Sequence, residues 1–140
     1  AVSRGVLANG FAMMGFPTET EAELQQTIDV ACSSRLHSIS FFTVTPFPGT
    51  RLYQMVEQDN PRLVTNIRYN DIEYAGIPVN VSAVSDETLF YYQRKANRRF
   101  YLNPVRLARM MRDFPQPYLL PLYIPVFIKR SLKGKIGRHV

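Results

Sequence analysis

The run from Asn9 to Thr20, Asn-Gly-Phe-Ala-Met-Met-Gly-Phe-Pro-Thr-Glu-Thr, limits the possible folds of this chain more than any other stretch. Its apolar segment from Phe11 to Met14 stops at Gly15, and Pro17 punctuates the chain two residues later. Thr20-Glu21-Ala22-Glu23 then offers the Ser/Thr-x-x-Glu pattern of a helix start. A buried strand turning into a helix is expected. Gly15 has access to backbone angles closed to other residues. Its missing side chain would let a ligand lie against the strand's end, the place where parallel α/β sheets bind ligands. Gly and Pro also serve turns that bind nothing, so this segment alone leaves binding and plain geometry both open.

The next segments suit a strand, helix and second strand in parallel. From Thr20 to Ser33, the residues Leu24, Thr27, Ile28 and Ala31 recur at helical spacing. Glu21 and Glu23 place negative charge at the positive end of that helix. A second strand is expected from Ser38 to Thr45, ended by Pro46 and Pro48, which cannot donate to a sheet. By alternation Phe11, Met13 and Gly15 share one face of the first strand. Ser40, Phe42 and Val44 share a face of the second, which leaves Ile39 and Phe41 against the helices. Gly49-Thr50 opens a short helix through Leu52, Tyr53 and Val56. Gln58 to Ser85 reads as irregular, with turn signals at Asn60-Pro61 and a short strand expected at Val79 to Ser82. Ser85 caps a helix with Leu89, Tyr92, Ala96 and Phe100 on one face. Asn103-Pro104 starts another, carrying Leu107, Met110, Met111 and Phe114. Ala1 to Leu7 reads as a helix end and a turn at Gly5.

Met-Met-Gly15-Phe16-Pro17-Thr18-Glu19-Thr20 and Thr45-Pro46-Phe47-Pro48-Gly49-Thr50, followed by Leu52-Tyr53, resemble the ends of the fifth and sixth strands of a radical S-adenosylmethionine barrel. Further on, Ser85-Asp-Glu-Thr-Leu89 and Arg98-Arg99-Phe100-Tyr101 resemble the region after the barrel in cobalamin-binding members of that family. The resemblance implies an α/β fold: the carboxyl-terminal part of a TIM-type βα barrel over residues 1–57, an irregular connection over 58–84 and a helical extension with a basic tail over 85–140. It implies that Met13, Gly15, Val44, Thr45 and Pro46 contact the adenosine of S-adenosylmethionine. No catalytic or metal-ligating residue is expected here. The family holds a [4Fe-4S] cluster on a Cys-x-x-x-Cys-x-x-Cys run, and this chain has one cysteine, Cys32. The cluster, and cobalamin where used, would therefore be held mainly by an upstream half of the same polypeptide, to which this chain would belong as a piece. The implied activity is radical chemistry begun by reductive cleavage of S-adenosylmethionine, followed by methylation or cyclisation of an unknown substrate. Within the family, RNA methylthiotransferases share a motif like Gly15 to Thr20.

Composition adds bounds. One cysteine forbids an intrachain disulfide and agrees with a reducing, cytoplasmic setting. Cys32, beside Val30 and Ala31, reads as a small buried residue. The net charge of +6 comes largely from residues after Phe90. Tyr91 to Tyr101 mixes aromatic and basic residues, and core packing is favoured over nucleic-acid contact there. A non-catalytic basic module binding RNA or an anionic surface through Arg94 to Arg112 is the alternative from another class. Tyr118 to Ile128 is apolar but too short to span a bilayer and is broken by Pro121 and Pro125. Docking on the barrel is favoured over peripheral membrane contact. Glu19 reads as a capping or solvated acid, favoured over the ordering of the loop and nearby cofactor groups that the resemblance implies for an acid there; Asp71 and Glu73 read as a solvated pair, and His37 and His139 as surface residues.

Overall fold

The computed structural model describes residues 6–65, 67, 69, 79–113 and 125. Their order is β1 (Asn9–Met14), α1 (Glu21–Ser33), β2 (Ser38–Thr43), α2 (Arg51–Asp59), α3 (Pro61–Thr65), α4 (Asp86–Tyr101) and α5 (Pro104–Asp113). The architecture is mixed α/β. Among the described residues the sheet has two strands, β1 and β2, paired in parallel from Asn9 opposite Ser38 to Met14 opposite Thr43. Those two strands form no closed barrel.

Local chemistry sets the helix starts. Thr20 closes a capping box with Glu23, each side chain bonding the other's backbone N–H. Thr50 accepts from Tyr53 N–H at 3.2 Å and Ser85 from Thr88 N–H at 3.2 Å. Asn103 accepts from Arg106 N–H at 3.2 Å, just before Pro104. The stretch expected to be irregular instead begins in helix: Pro61 sits at the first position of α3, where its missing N–H costs nothing. The strand expected at Val79 to Ser82 is absent. Asn80 turns the chain there, its Oδ1 accepting from Ser82 N–H at 2.9 Å and its Nδ2 donating to Val84 C=O at 2.8 Å.

Two apolar clusters result. Met14, Leu24, Ile28, Ala31, Ile39 and Phe41 meet Leu89, Ala96 and Phe100 of α4 in the first. Val44, Val56, Val64, Ile67, Val79 and Val81 make the second, under the loop after β2. Ile39 and Phe41 face the helices, as alternation predicts. Thr27 and Tyr92 are only half-buried. On α5 the buried residues are Arg106 and Met110, whereas Leu107 and Met111 point outward, contrary to the expected apolar stripe. Phe114 lies outside the described residues, as do Ala1 to Gly5.

Polar side chains from α4 and α5 complete the backbone of the α/β unit. The Tyr101 hydroxyl donates to Ile39 C=O at 2.5 Å and accepts from Ile39 N–H at 3.1 Å, and Gln93 Nε2 donates to Phe41 C=O at 3.1 Å. Three main-chain groups of β2 are thereby bonded by side chains on the edge away from β1. Along α1, Glu21, Gln25 and Asp29 bond in turn to Tyr92, Lys95 and Arg99, so α1 and α4 run in the same direction. The last turn of α1 holds no basic residue. Arg106 of α5 supplies the charge instead, its guanidinium donating to Cys32 C=O at 2.9 Å, to Ser34 C=O at 3.1 Å and to Leu36 C=O. The same group lies 3.6 Å from the centre of the Phe100 ring.

His37, expected at the surface, is buried. Its Nδ1 accepts from Ala8 N–H at 3.1 Å, so in the neutral ring Nε2 carries the hydrogen and donates to Asp113 at 3.2 Å. Arg112 and His37 together hold the Asp113 carboxyl at about 2, down from 3.8. Cys32 is half-buried, and burial pushes its thiol up. No described helix is long and apolar enough to cross a membrane.

Two outcomes are expected from these contacts. Tyr101→Phe keeps the ring but strands both main-chain groups of Ile39, and is expected to lower unfolding free energy by about 1–3 kcal/mol in urea titration. Asp113 has a depressed pKa in the folded chain, so its contribution is present above pH 3.8 and is lost as pH falls through about 2. The stability gap between the chain and Asp113→Asn, read from urea midpoints, should be widest at pH 5, narrow as pH falls below 3.8 and close only below about pH 2.

Candidate site at the carboxyl ends of the two strands

The two strands stop side by side. Val44 N–H donates to Met14 C=O at 2.8 Å, one residue beyond the last strand pair, and this places Gly15 beside the Val44-Thr45-Pro46 segment. Both carboxyl ends therefore open on the same side of the ribbon. The second strand itself ends at Thr43, two residues short of the expected Thr45.

Gly15 has φ +87°, a conformation that side-chain-bearing residues rarely adopt. A Cβ there would sit 3.1 Å from Leu89 Cδ2, so the space left by the missing side chain is filled by α4 and not by a ligand. Glu19 governs the turn. Its carboxylate accepts from Gly15 N–H and from Phe16 N–H, the latter at 3.2 Å, while its own N–H donates to Phe16 C=O at 2.9 Å. At 9 % exposure Glu19 is neither a solvated acid nor a cap of α1, the role Thr20 fills. Burial makes the carboxylate costly unless it is bonded, and two main-chain N–H groups supply those bonds.

After β2, Pro46 is fully buried and its carbonyl accepts from Tyr69 Oη at 2.9 Å. Val44 packs in the second apolar cluster. Thr45 is half-buried and Met13 is 52 % exposed. Of the five residues expected at a cofactor, Met13 thus offers its side chain to solvent. Thr45 forms the rim, and Gly15, Val44 and Pro46 are buried beneath it. Phe11, 74 % exposed and stacked with Phe42 at 5.8 Å, extends the apolar surface down the same face, and Phe16 and Phe47 are exposed at the strand ends. Phe11 was legible as Met13's partner by alternation, but its exposure was not. Leu89, which decides what Gly15 can accommodate, has no local signal linking it to the turn.

Among the described residues no acid–base pair stands at these ends. His37 is at the opposite, amino-terminal end of β2. Among the described residues no three His, Cys, Asp or Glu side chains gather as a metal would need. Asp71, Glu73 and His139 lie outside the described residues. Beside β1, a groove of about 450 Å³ is lined by Phe11, Ala12, Val30, Leu36 and Ile39, with Glu23 and Gln26 among its polar members.

No protein-family profile matches the chain, and no solved structure matches it. It is 35% identical over 107 residues, 75% of its length, to an uncharacterized methyltransferase of Pyrococcus horikoshii. Over 57 residues, 41% of its length, it is 39% and 40% identical to proteins named tRNA-2-methylthio-N(6)-dimethylallyladenosine synthase from Mycolicibacterium vanbaalenii and Corynebacterium jeikeium. The matched stretch is 22% of the first relative's length and 11% of the other two, so the chain spans a small part of each.

The Glu19 bonds are testable apart from any ligand. Glu19→Gln keeps the shape but removes the charge, and amide exchange at Gly15 and Phe16 should speed up about tenfold, equal to the ~1.4 kcal/mol of a charge-assisted bond. Gly15→Ala meets both the positive φ and Leu89. It should cost roughly 1–3 kcal/mol in chemical denaturation, with Leu89→Ala recovering only the packing share.

Proposed function

We propose that this chain is part of a radical S-adenosylmethionine enzyme that methylates or otherwise modifies its substrate. The observation that carries this reading is the adjacency of Gly15 and Thr45-Pro46 at the carboxyl ends of two neighbouring parallel strands. The relatives named methyltransferase and methylthiotransferase add support. Adenine has apolar faces and a polar edge. Met13 suits the face, main-chain groups at Thr45 suit the edge, and Gly15, Val44 and Pro46 hold the rim from beneath. Bound there, S-adenosylmethionine would supply a methyl group or, on one-electron reduction by an iron–sulfur cluster, a means of removing hydrogen from substrate. The chain's own share is to seat the adenosine, exclude water through the apolar face of Phe11 and Met13, and hold the Gly15 turn rigid through Glu19.

The cluster does not fit this chain. Its single thiol, Cys32, lies at the far end of α1 among backbone carbonyls bonded by Arg106. Cluster ligands, and a cobalamin site if the enzyme uses one, would come from other parts of the polypeptide. The outer edge of β1 and the groove beside α1 suit a preceding strand and helix of the same chain, and a cytoplasmic setting suits the lone thiol.

Testing this takes the parent polypeptide. The sequence preceding residue 1 should contain a Cys-x-x-x-Cys-x-x-Cys run, and the protein reconstituted anaerobically with iron and sulfide should form 5′-deoxyadenosine or S-adenosylhomocysteine from S-adenosylmethionine under reduction. Met13→Lys should weaken S-adenosylmethionine binding at least tenfold by equilibrium dialysis while leaving the cluster absorbance unchanged. Absence of the cysteine run, or unchanged binding in Met13→Lys, would overturn the proposal.

A further inference from the structure

The structure sorts the basic residues after Phe90, which in sequence look like one surface. Arg99 pairs with Asp29, Lys95 donates to Gln25 at 2.6 Å, Arg106 is buried on the carbonyls ending α1, and Arg112 bonds Asp113 at 2.8 Å. Among the described residues Arg94, Arg98 and the half-buried Arg109 remain outside these ion pairs; Arg94 and Arg98 are both exposed, Arg94 lying 5.6 Å from the centre of the Phe90 ring. Four residues apart on α4, they stand on one face about 6 Å apart along the axis, close to the step between neighbouring phosphates of an extended strand. Tyr91, one turn earlier on that face, is 58 % exposed, with Lys95 Nζ 5.7 Å from its ring centre. Together with Phe90 and Arg99 these residues line a groove of about 500 Å³.

We propose that this face of α4 binds single-stranded nucleic acid, with phosphates on Arg94 and Arg98 and a base stacked on Tyr91. Charge complementarity calls for an anion, and two guanidinium groups at a phosphate step suit a repeating one. The exposed ring adds a stacking platform that a duplex, with its bases paired inside, would leave unused. A bilayer is the poorer occupant. A helix lying in a membrane surface buries an apolar face, and α4 commits Leu89, Ala96 and Phe100 to the core. Its outward face carries one aromatic ring and, at its end, Leu102.

The test is fluorescence anisotropy of the chain with labelled 12-nucleotide oligouridylate and oligothymidylate across 25–200 mM salt, with a parallel sedimentation assay on vesicles of phosphatidylcholine and phosphatidylserine. Binding to at least one oligonucleotide is expected, falling with salt. Arg94→Gln with Arg98→Gln should weaken it at least tenfold and reduce the log–log salt slope by about 1.4, two contacts at about 0.7 each. Tyr91→Ala should weaken it about tenfold with the slope unchanged. Arg99→Gln, whose side chain is already paired, should change it less than twofold. Binding of both oligonucleotides or of one alone supports the proposal and sets its sugar preference. Affinity and slope unchanged in the double variant would overturn it, as would vesicle binding lost in that variant without oligonucleotide binding in the parent. Circular dichroism checks folding, and the solvent-exposed Tyr91→Ala keeps the test decisive if the double variant unfolds.

Discussion

The Tyr101 hydroxyl, bonded to both main-chain groups of Ile39, is the interaction on which the rest of this structure depends. Two parallel strands linked through a helix have two open edges and cannot stand as a sheet alone. Tyr101 and Gln93 cover part of one of them, bonding Ile39 and Phe41 from a helix where another protein would use a strand. That docking fixes α4 along its whole length. It sets Leu89 against Gly15, and it aligns Tyr92, Lys95 and Arg99 with Glu21, Gln25 and Asp29 on α1. Through the short connection at Leu102 and Asn103 it also delivers Arg106 to the carbonyls at the end of α1. A helix with no basic residue in its last turn is thus finished by a residue more than seventy positions away.

What could be read from sequence was local, and the reason is physical. Thr20, Thr50, Ser85 and Asn103 cap helices with bonds that span three residues, so pattern alone finds them. The burial of Ile39 and Phe41 follows from strand alternation. The misreadings share a different origin. Glu19 and His37 look like surface residues because charged and titratable side chains usually are, and each is buried because backbone groups brought from elsewhere, or a sharp local turn, satisfy it. Leu107 and Met111 failed for the converse reason. Arg106 and Met110 occupy the inner face of α5, which turns the apolar neighbours outward.

The turn at Gly15 shows how one residue answers to two demands. Its positive φ is required by the sharp change from strand to helix, and Glu19 holds that change by accepting from the two consecutive N–H groups it exposes. Its missing Cβ is required separately, by Leu89. Neither demand needs a ligand. The glycine that first draws attention to the strand's end is explained by the fold, so it adds nothing by itself to the case for a cofactor.

That case rests on the two strand ends lying side by side and on what the fold does not explain. Phe11 and Met13 occupy one face of β1, where burial of either would stabilise the chain by about 1.5–3 kcal/mol, yet both stay largely exposed among the described residues. Single exposed apolar residues are ordinary on protein surfaces, whereas a contiguous run leading to the open ends of two parallel strands marks a surface made to be covered. The opposite face of the same strand, at Met14, is completely buried, so β1 is two-sided, with one face on the packed helical layer and the other open among the described residues. The proposed occupant, a flat molecule with apolar faces and a polar edge, would match such a face where it meets the strand ends. In the proposed reading Thr45 would serve there through its backbone and Met13 through its side chain.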